Sequence, residues 1–520
     1  MKRYLAFLLA IVMLLGVCTF ASAEDKVTLS ALFYTNSLTK DVRELKFLND
    51  MAEAAGVNLE IEQVTSGWTE IKSTLLASGD LPDLIIGGTG ILSSDIAQFQ
   101  YLFQDFNELM EYAPNVAKMF EEHPETKALS TSRDGGVYGL PKYQRYWPKS
   151  YLRQMINVQW LENLGLEKPT TLDELYNVLL AFKEQDANGN GDPNDEIPLE
   201  FAAGIAAKNL AQLPWIMAMT SGWGLPVTCI TDEGWYLKDG VVGNVYMSEA
   251  YKELMVFVAK CWNAGLINSE VFTQEYASSS ALCRTGNVGY TFGWDITDRM
   301  GNDWAVQYET LSTILPSAEY ADKAVWEYSY YNLNYGFPQV TMSAECKNKE
   351  AAMRFVDLFY DPYYAIQCLF GSYGECIQQN EDGTLTVLPP ADPTLDPGTW
   401  KWTNALADIS PMYISDELQV TLPSDMQLID SLSECFEEQV ARIGNDGWPG
   451  VFLSYEDEVN AELSYFMTDL KNIWEIQFAE WTTNGGVEEG WDAYIDAANS
   501  AGYEEARKIV QTAVDAYLGK

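Results

Sequence analysis

Near its start the chain switches repeatedly between two hydrophobic periods. Val27 to Tyr34 is a β-branched and aromatic run that stops at the turn residues Thr35-Asn36-Ser37. From Asp41 to Ala55 the apolar positions Leu45, Phe47, Leu48 and Met51 fall at helical spacing, and Gly56 ends the run. Val57-Asn58-Leu59-Glu60-Ile61 alternates strictly, which predicts a half-buried strand. A helix is expected from about Trp68 to Ala77, stopped by Gly79. Leu84-Ile85-Ile86 is then a short buried strand running into Gly87-Gly88-Thr89-Gly90. Strand–helix–strand units imply parallel pairing with right-handed crossovers, so the first domain reads as α/β. In such sheets ligands sit beyond the carboxyl ends of the strands. Those ends are Tyr34 to Ser37, Thr65 to Trp68 and Gly87 to Gly90.

From Trp147 onward the pattern turns helical. Thr171-Leu172-Asp173-Glu174 is a capping box, followed by Leu175, Val178, Leu179 and Phe182 on one helical face. Further helices are expected at Met247 to Ala264, Lys349 to Tyr360, Ser454 to Trp481 and Glu488 to Tyr517. No internal repeat is visible.

The first segment is of a different kind. Lys2 and Arg3 lead into apolar Leu5 to Val17, then Cys18 and the small triplet Ala21-Ser22-Ala23, which reads as a secretory signal peptide over residues 1–23. The run falls short of the ~20 apolar residues that span a bilayer. Leu15-Gly16-Val17-Cys18 also resembles a bacterial lipobox, so two readings stand: free secretion, or a lipid anchor on Cys18. Both place the protein outside the cytoplasm.

Composition narrows the chemistry. The 520 residues carry 32 Lys+Arg against 75 Asp+Glu, a net charge of −43. Such an excess repels phosphate backbones and disfavours nucleic-acid binding and an anionic cargo. A single histidine, His123, speaks against His-rich zinc sites and against Ser-His-Asp or Cys-His catalysis. The seven cysteines beyond residue 23 are scattered, with no C-x-x-C pair, and read mainly as small buried residues, with one or two bridges left open.

The most specific chemical signal is Asp186-Ala187-Asn188-Gly189-Asn190-Gly191-Asp192-Pro193-Asn194-Asp195-Glu196. Oxygen side chains at alternate positions, with glycines allowing tight curvature, suit a hard cation such as calcium. Side-chain ligation is expected from Asp186, Asn188, Asn190, Asp195 and Glu196, with Asp192 acting through its carbonyl. The alternative is a solvated Asn/Gly turn. A bound ion would be structural, joining the helix that ends near Gln185 to the segment from Ile197.

Sixteen Trp and thirty Tyr are many for this length. Several stand among Gly, Pro or Asn: Trp68, Tyr143, Tyr146, Trp147, Trp223, Trp294, Tyr330, Tyr331, Tyr335, Trp400 and Trp402. Flat rings stack on the C–H faces of sugars, while nearby carboxylates and amides bind hydroxyls. With the strand ends, these features nominate Asn36, Trp68, Thr89, Tyr143, Arg145, Trp223, Trp294, Asp295, Tyr330, Tyr331 and Trp402 as ligand-binding residues.

Several ordered motifs carry a family resemblance. Gly79-Asp80-Leu81-Pro82-Asp83-Leu84-Ile85, Gly136-Val137-Tyr138-Gly139-Leu140-Pro141 and Trp160-Leu161-Glu162-Asn163-Leu164-Gly165-Leu166 resemble family 1 extracellular solute-binding proteins, the receptors of carbohydrate ABC importers. Pro169-Thr170-Thr171 and the calcium-type loop, Lys349-Glu350-Ala351-Ala352 and Trp491-Asp492-Ala493-Tyr494 extend the likeness, which is greatest to the large oligosaccharide- and alginate-binding members. The loop has one extra residue before its Asp-Glu pair, and Trp481-Thr482-Thr483-Asn484-Gly485-Gly486 replaces a Phe-Ile-Thr-Gly-like segment of that family.

The resemblance implies a two-lobed periplasmic-binding-protein-like α/β fold of type II, with hinge strands and a helix-rich C-terminal lobe. Lobe boundaries are expected at 24–144 plus about 285–340, and at about 145–284 plus 341–520. It also implies a monomer that closes on a sugar and docks on permease subunits, without catalysis. A secreted glycoside hydrolase with paired carboxylates, or a receptor for a peptide, are the alternatives. An adhesion protein is disfavoured, since there is no repeat, anchor motif or Ser/Thr/Pro-rich stalk.

Overall fold

The computed structural model describes residues 26–520 apart from 89, 193, 202, 204–211 and 232. The expected signal peptide with Cys18, and Thr89, lie outside the described residues.

Two sheets organise the chain. The first contains β1 (Val27–Tyr34), β2 (Val57–Val64), β3 (Leu84–Ile86), β4 (Leu140–Tyr143), β9 (Tyr335–Met342) and β10 (Met412–Tyr413), in the order β10-β4-β9-β3-β1-β2. The second contains β5 (Arg153–Asn157), β6 (Ile197–Leu199), β7 (Val288–Gly293) and β8 (Tyr308–Thr310), in the order β8-β5-β7-β6. β1 pairs in parallel with both β2 and β3, as the alternating pattern predicts. β9 runs antiparallel between β3 and β4 and closes the first sheet from a distant part of the chain.

The local signals fix their helices well. Helix Lys46–Ala55 buries Phe47, Leu48 and Met51 and stops where Gly56 adopts φ 70°. At helix Leu172–Glu184 the Thr171 hydroxyl accepts from the Glu174 N–H, while the Glu174 carboxylate accepts from the Thr171 N–H at 3.2 Å. The expected helix from Glu488 to Tyr517 is two helices, Val487–Ser500 and Tyr503–Tyr517, parted at Gly502 with φ 96°. All seven described cysteines are free thiols, and only Cys435 is more than slightly exposed.

Strand pairing divides the chain differently from the expected boundaries. β7 is buried along its whole length because it lies between β5 and β6, so residues 285–326 belong to the second lobe rather than the first. Conversely, Ala351 to Phe359 pack on Phe47, Leu48 and Met51 of the first lobe, and β10 pairs with β4. The segment from 341 to about 413 is therefore first-lobe material. The second lobe resumes beyond, where Leu470, Trp474 and Phe478 join the core of Tyr251, Leu254 and Val258. The chain thus passes between lobes three times, at 144–152, 326–334 and 414–424.

Candidate functional site

The first crossing leaves β4, and its side chains reach two separate groups of partners. Lys142 and Trp147 lie on one side, with the loop 401–409. Tyr143 and Arg145 lie on the other, with Asp416.

On the first side the Trp147 indole N–H donates to Asp408 Oδ1 at 2.5 Å, and Lys401 Nζ binds Asp408 Oδ2 at 2.9 Å. Lys401 Nζ also stands 4.4 Å from the Trp147 ring centre and 5.5 Å from that of Trp402. Lys142 Nζ donates to the Asp408 carbonyl. Burial opposes ionisation of Asp408, but the ammonium groups of Lys401 and Lys142 outweigh it and hold the carboxyl below its ordinary range. Burial draws Lys142 below its ordinary value, with Asp408 opposing.

The ends of β1 and β3 adjoin this loop. Gly88 N–H donates to the Ile409 carbonyl at 2.6 Å, and Lys40 N–H to the Thr403 carbonyl at 3.2 Å. Lys40 Nζ reaches Asn404 Oδ1 at 2.9 Å. Asn36 sits in the turn after β1, its Oδ1 accepting from Leu38 N–H at 2.9 Å. Trp68 opens helix Trp68–Ser78; its indole N–H donates to the Gly90 carbonyl at 2.6 Å and its ring stacks on Tyr34 at 5.3 Å.

The second lobe contributes Trp294, which follows the end of β7. Its ring meets Trp147 edge-on at 5.4 Å and Tyr151 at 5.7 Å. Behind it, Arg153 stands 5.1 Å from the ring centre and donates to the Trp294 carbonyl at 2.7 Å. Burial draws the Arg153 guanidinium down to about 10, against Glu327 and Asp295. Asp295 caps helix Ile296–Met300, accepting from Asp298 N–H at 2.7 Å, and burial lifts its carboxyl above the ordinary range.

Of the nominated residues, Trp294 meets Trp147 directly and Trp402 shares the Lys401 ammonium with it, while Asn36 and Trp68 lie beyond the ends of β1 and β2 and Asp295 follows Trp294 in the chain. Four others form a second cluster. Tyr143 donates to Asp416 Oδ1 at 2.9 Å, Arg145 donates to the Leu418 carbonyl at 3.1 Å, and Tyr330 and Tyr331 meet at 6.0 Å beside Tyr335. Arg145 and Tyr330 line a cavity of about 550 Å³ that also touches Trp147 and Phe436. Trp223 joins neither group: its indole donates to Glu253 Oε2 at 2.7 Å within the second-lobe core. Tyr151, Lys401 and Asp408 were not foreseen, because nothing in their local sequence marks them. Trp147 carried the aromatic signal but not the strand-end one.

The calcium-type loop links helix Leu172–Glu184 to β6. Glu196 Oε1 accepts from Ala187 N–H at 2.9 Å, and Asp186 Oδ2 from Gly191 N–H at 2.9 Å. The other oxygens of both carboxylates, Asp186 Oδ1 and Glu196 Oε2, are buried without a hydrogen-bond partner. Asp195 gathers the side-chain amides of Asn188 and Asn190 at 2.9 and 2.8 Å, and Asp192 turns its side chain to Asn194. Among the described residues no three His, Cys, Asp or Glu converge tightly enough to hold a metal by themselves. An ion here therefore needs the asparagine carbonyls as well. Two orphaned buried carboxylate oxygens in one short loop fit a hard cation.

Against this geometry, the family model of bacterial extracellular solute-binding proteins matches residues 37–365. The chain belongs to that family. It is 27% identical over 517 residues to the fructooligosaccharide ABC transporter substrate-binding protein FusA of Streptococcus pneumoniae serotype 4, covering 95% of this chain and 91% of that one. Its structure is similar to an HMO-binding, ABC-transporter-associated solute-binding protein from Bifidobacterium longum infantis, with 26% identity, TM-score 0.86, and 95% and 99% of the two chains covered. FusA in complex with kestose matches at 25% identity, TM-score 0.79 and coverage of 95% and 99%. As an EF-hand mutant with fructo-nystose it matches in fold at 24% identity, with the same TM-score and coverage. Among the described residues no helix is long and apolar enough to cross a membrane.

Proposed function

We propose that the protein is the exported substrate-binding component of an ABC importer, capturing a sugar or oligosaccharide between its lobes and delivering it unchanged to permease subunits. The observation that carries this reading is the junction of Trp147 and Trp294. Two indoles, anchored to different lobes, meet beside Tyr151 and Trp402 and within reach of Lys401 and Asp408. Rings offer stacking faces and the charged edge offers hydroxyl partners, which suits a polar, uncharged ring compound. Two nearby carboxylates already have duties: that of Asp408 is bound to the Lys401 ammonium and the Trp147 indole, and that of Asp295 caps a helix. Binding rather than cleavage is the reading that the family and the binding-protein relatives support.

Closure follows from differential affinity, since a ligand touching both lobes stabilises the state in which both can be touched. Asn36, Trp68, Trp294, Asp295 and Trp402 are the nominated residues assigned here to this cleft, with Trp147 and Tyr151 added. Asp186, Asn188, Asn190, Asp192, Asp195 and Glu196 are assigned to a structural calcium, which supplies charge neutralisation and a rigid joint when bound.

Titration calorimetry against fructooligosaccharides including kestose, milk oligosaccharides and short peptides tests the reading, with chromatography of each mixture. One-to-one binding of a glycan with no new product is expected. Peptide binding alone, or the appearance of cleaved sugar, overturns it.

A further inference from the structure

We propose that Gln212 is a positioning residue that fixes the direction of the Tyr151 hydroxyl, making it a hydrogen-bond donor toward the cleft, so that the ligand group it meets is an accepting oxygen. The inference rests on the aromatic junction being the ligand site. It adds which polar group recognises the ligand beside Trp294, and with what polarity.

The direction is set by an atom that can only donate. The Trp215 indole N–H donates to Gln212 Oε1 at 3.2 Å. An indole nitrogen cannot accept, so the Gln212 amide turns its oxygen to Trp215 and its NH2 group the other way. That NH2 group donates to the Tyr151 hydroxyl oxygen at 2.9 Å. An amide nitrogen does not accept either, so Tyr151 is the acceptor of this bond and keeps its own proton for another partner. Among the described residues none takes that proton. Burial pushes the phenol up to about 12, so the proton is in place at neutral pH.

Each member of this relay is held in place. Trp215 is buried in the second-lobe core, with the Arg299 guanidinium 5.2 Å from its ring centre and Tyr276 edge-on at 5.7 Å. Arg299 is itself fully buried and donates to the Ser279 and Thr291 hydroxyls at 2.7 and 3.3 Å. Next to Gln212 the buried Leu213 donates its N–H to the Thr231 carbonyl at 2.9 Å, which ties down the backbone that carries the amide. At the other end the Tyr151 N–H donates to Glu327 at 2.6 Å, and the half-buried Tyr151 ring lies 5.7 Å from that of Trp294. The polarity is therefore rooted in the core and delivered at the junction. A sugar against Trp294 offers ring, glycosidic and hydroxyl oxygens, all of which accept. An ammonium or amide N–H at the same point meets a second donor and is disfavoured.

Gln212→Glu reverses the relay without changing its shape. One carboxylate oxygen still accepts from the Trp215 indole, and the other now takes the Tyr151 proton. The Fermi doublet of tyrosine in ultraviolet resonance Raman spectra separates accepting from donating phenols, and the difference between each protein and its Tyr151→Phe partner isolates residue 151. In the ligand-free, full-length mature protein, Gln212→Glu is expected to move that doublet to the donating pattern. Gln212→Leu, which offers neither group, is expected to remove the accepting pattern, and it decides if Gln212→Glu fails to fold. In calorimetry with kestose and the milk oligosaccharides, Tyr151→Phe and Gln212→Glu are each expected to weaken whichever glycan binds by about 3- to 10-fold. A doublet that stays at the parental pattern in the folded Gln212 variants overturns the proposal, as does a Gln212→Glu protein that binds the glycan as tightly as the parent. A panel without any binding refutes the transport reading, and the ligand-free doublet still decides the direction of Tyr151.

Discussion

Removing calcium is the perturbation whose size can be worked out in advance. The loop 186–196 packs four acidic side chains, Asp186, Asp192, Asp195 and Glu196, between a helix and β6 of the second-lobe sheet. Without an ion, Asp186 Oδ1 and Glu196 Oε2 are buried and unpaired, and burial already lifts the Glu196 carboxyl above its ordinary value. An ion bound at ~10 μM, inside the range of oxygen-liganded loops, stabilises the folded state at 1 mM calcium by about 2.7 kcal/mol. Spread over a cooperative lobe of roughly 300 residues, this corresponds to about 4 °C in melting temperature. Differential scanning calorimetry in excess EGTA and in 1 mM calcium measures the shift, and elemental analysis of the dialysed protein counts the ion. Asp186→Asn combined with Glu196→Gln is expected to abolish the calcium increment while leaving the EGTA melting point equal or higher, since like charges are removed. A melting point that moves by less than ~1 °C in the parent, with no bound calcium found, refutes the assignment.

Further expectations bear on the cleft and on acid stability. Trp294→Ala removes two ring contacts and a cation–π contact, about 2–4 kcal/mol of folding stability in all, and should weaken the glycan found in the panel at least ~10-fold, with Trp294→Phe recovering most of it. Unchanged affinity in Trp294→Ala would remove that ring from the site. Burial pushes the Asp357 carboxyl up to about 6, against hydrogen bonds from Val116 and Asn115 that favour its charged form. The folded state then holds this proton more tightly than the unfolded chain does. Its contribution is complete below about pH 4 and is lost as pH rises through about 6, by at most about 3 kcal/mol. Urea titrations between pH 4 and 7 should show that decline in the parent and a smaller one in Asp357→Asn; identical slopes would show that Asp357 is not the group responsible.

The parts of this molecule readable from its sequence are those whose partners lie close along the chain. β1 pairs with β2 thirty residues on and with β3 fifty-three residues on, with nothing but the intervening strand–helix units between them, so period and turn chemistry suffice to identify them. The second sheet takes β5, β6, β7 and β8 from segments spread between 153 and 310, and fully buried β5 carries Arg153, Gln154 and Asn157. No apolar alternation marks such a strand. Its polar groups find partners far along the chain, both terminal nitrogens of Arg153 in Ser433 and the Trp294 carbonyl, and Gln154 in Tyr290, while Arg153 Nε is left buried without one. The lobe boundary at 285 failed for the same reason, since what places β7 is a neighbour on each side and not its own composition.

Net charge shows the same limit at the site. A chain at −43 disfavours an anionic cargo on average, yet the loop beside Trp147 brings Lys40, Lys142 and Lys401 around Asp408 and Asn404. Within a cleft the potential is set by groups a few ångströms away, because charges beyond ~10 Å are largely screened at ordinary ionic strength. Part of this cationic charge is already committed to Asp408, and Asp425 lies close enough to act on Lys401 as well. The balance therefore favours hydroxyl recognition over capture of a free anion. Comparing a neutral oligosaccharide with its uronic-acid counterpart at low and high salt reads that balance directly: preference for the uronate that vanishes with salt would mean that the lysines, not the indoles, select the cargo.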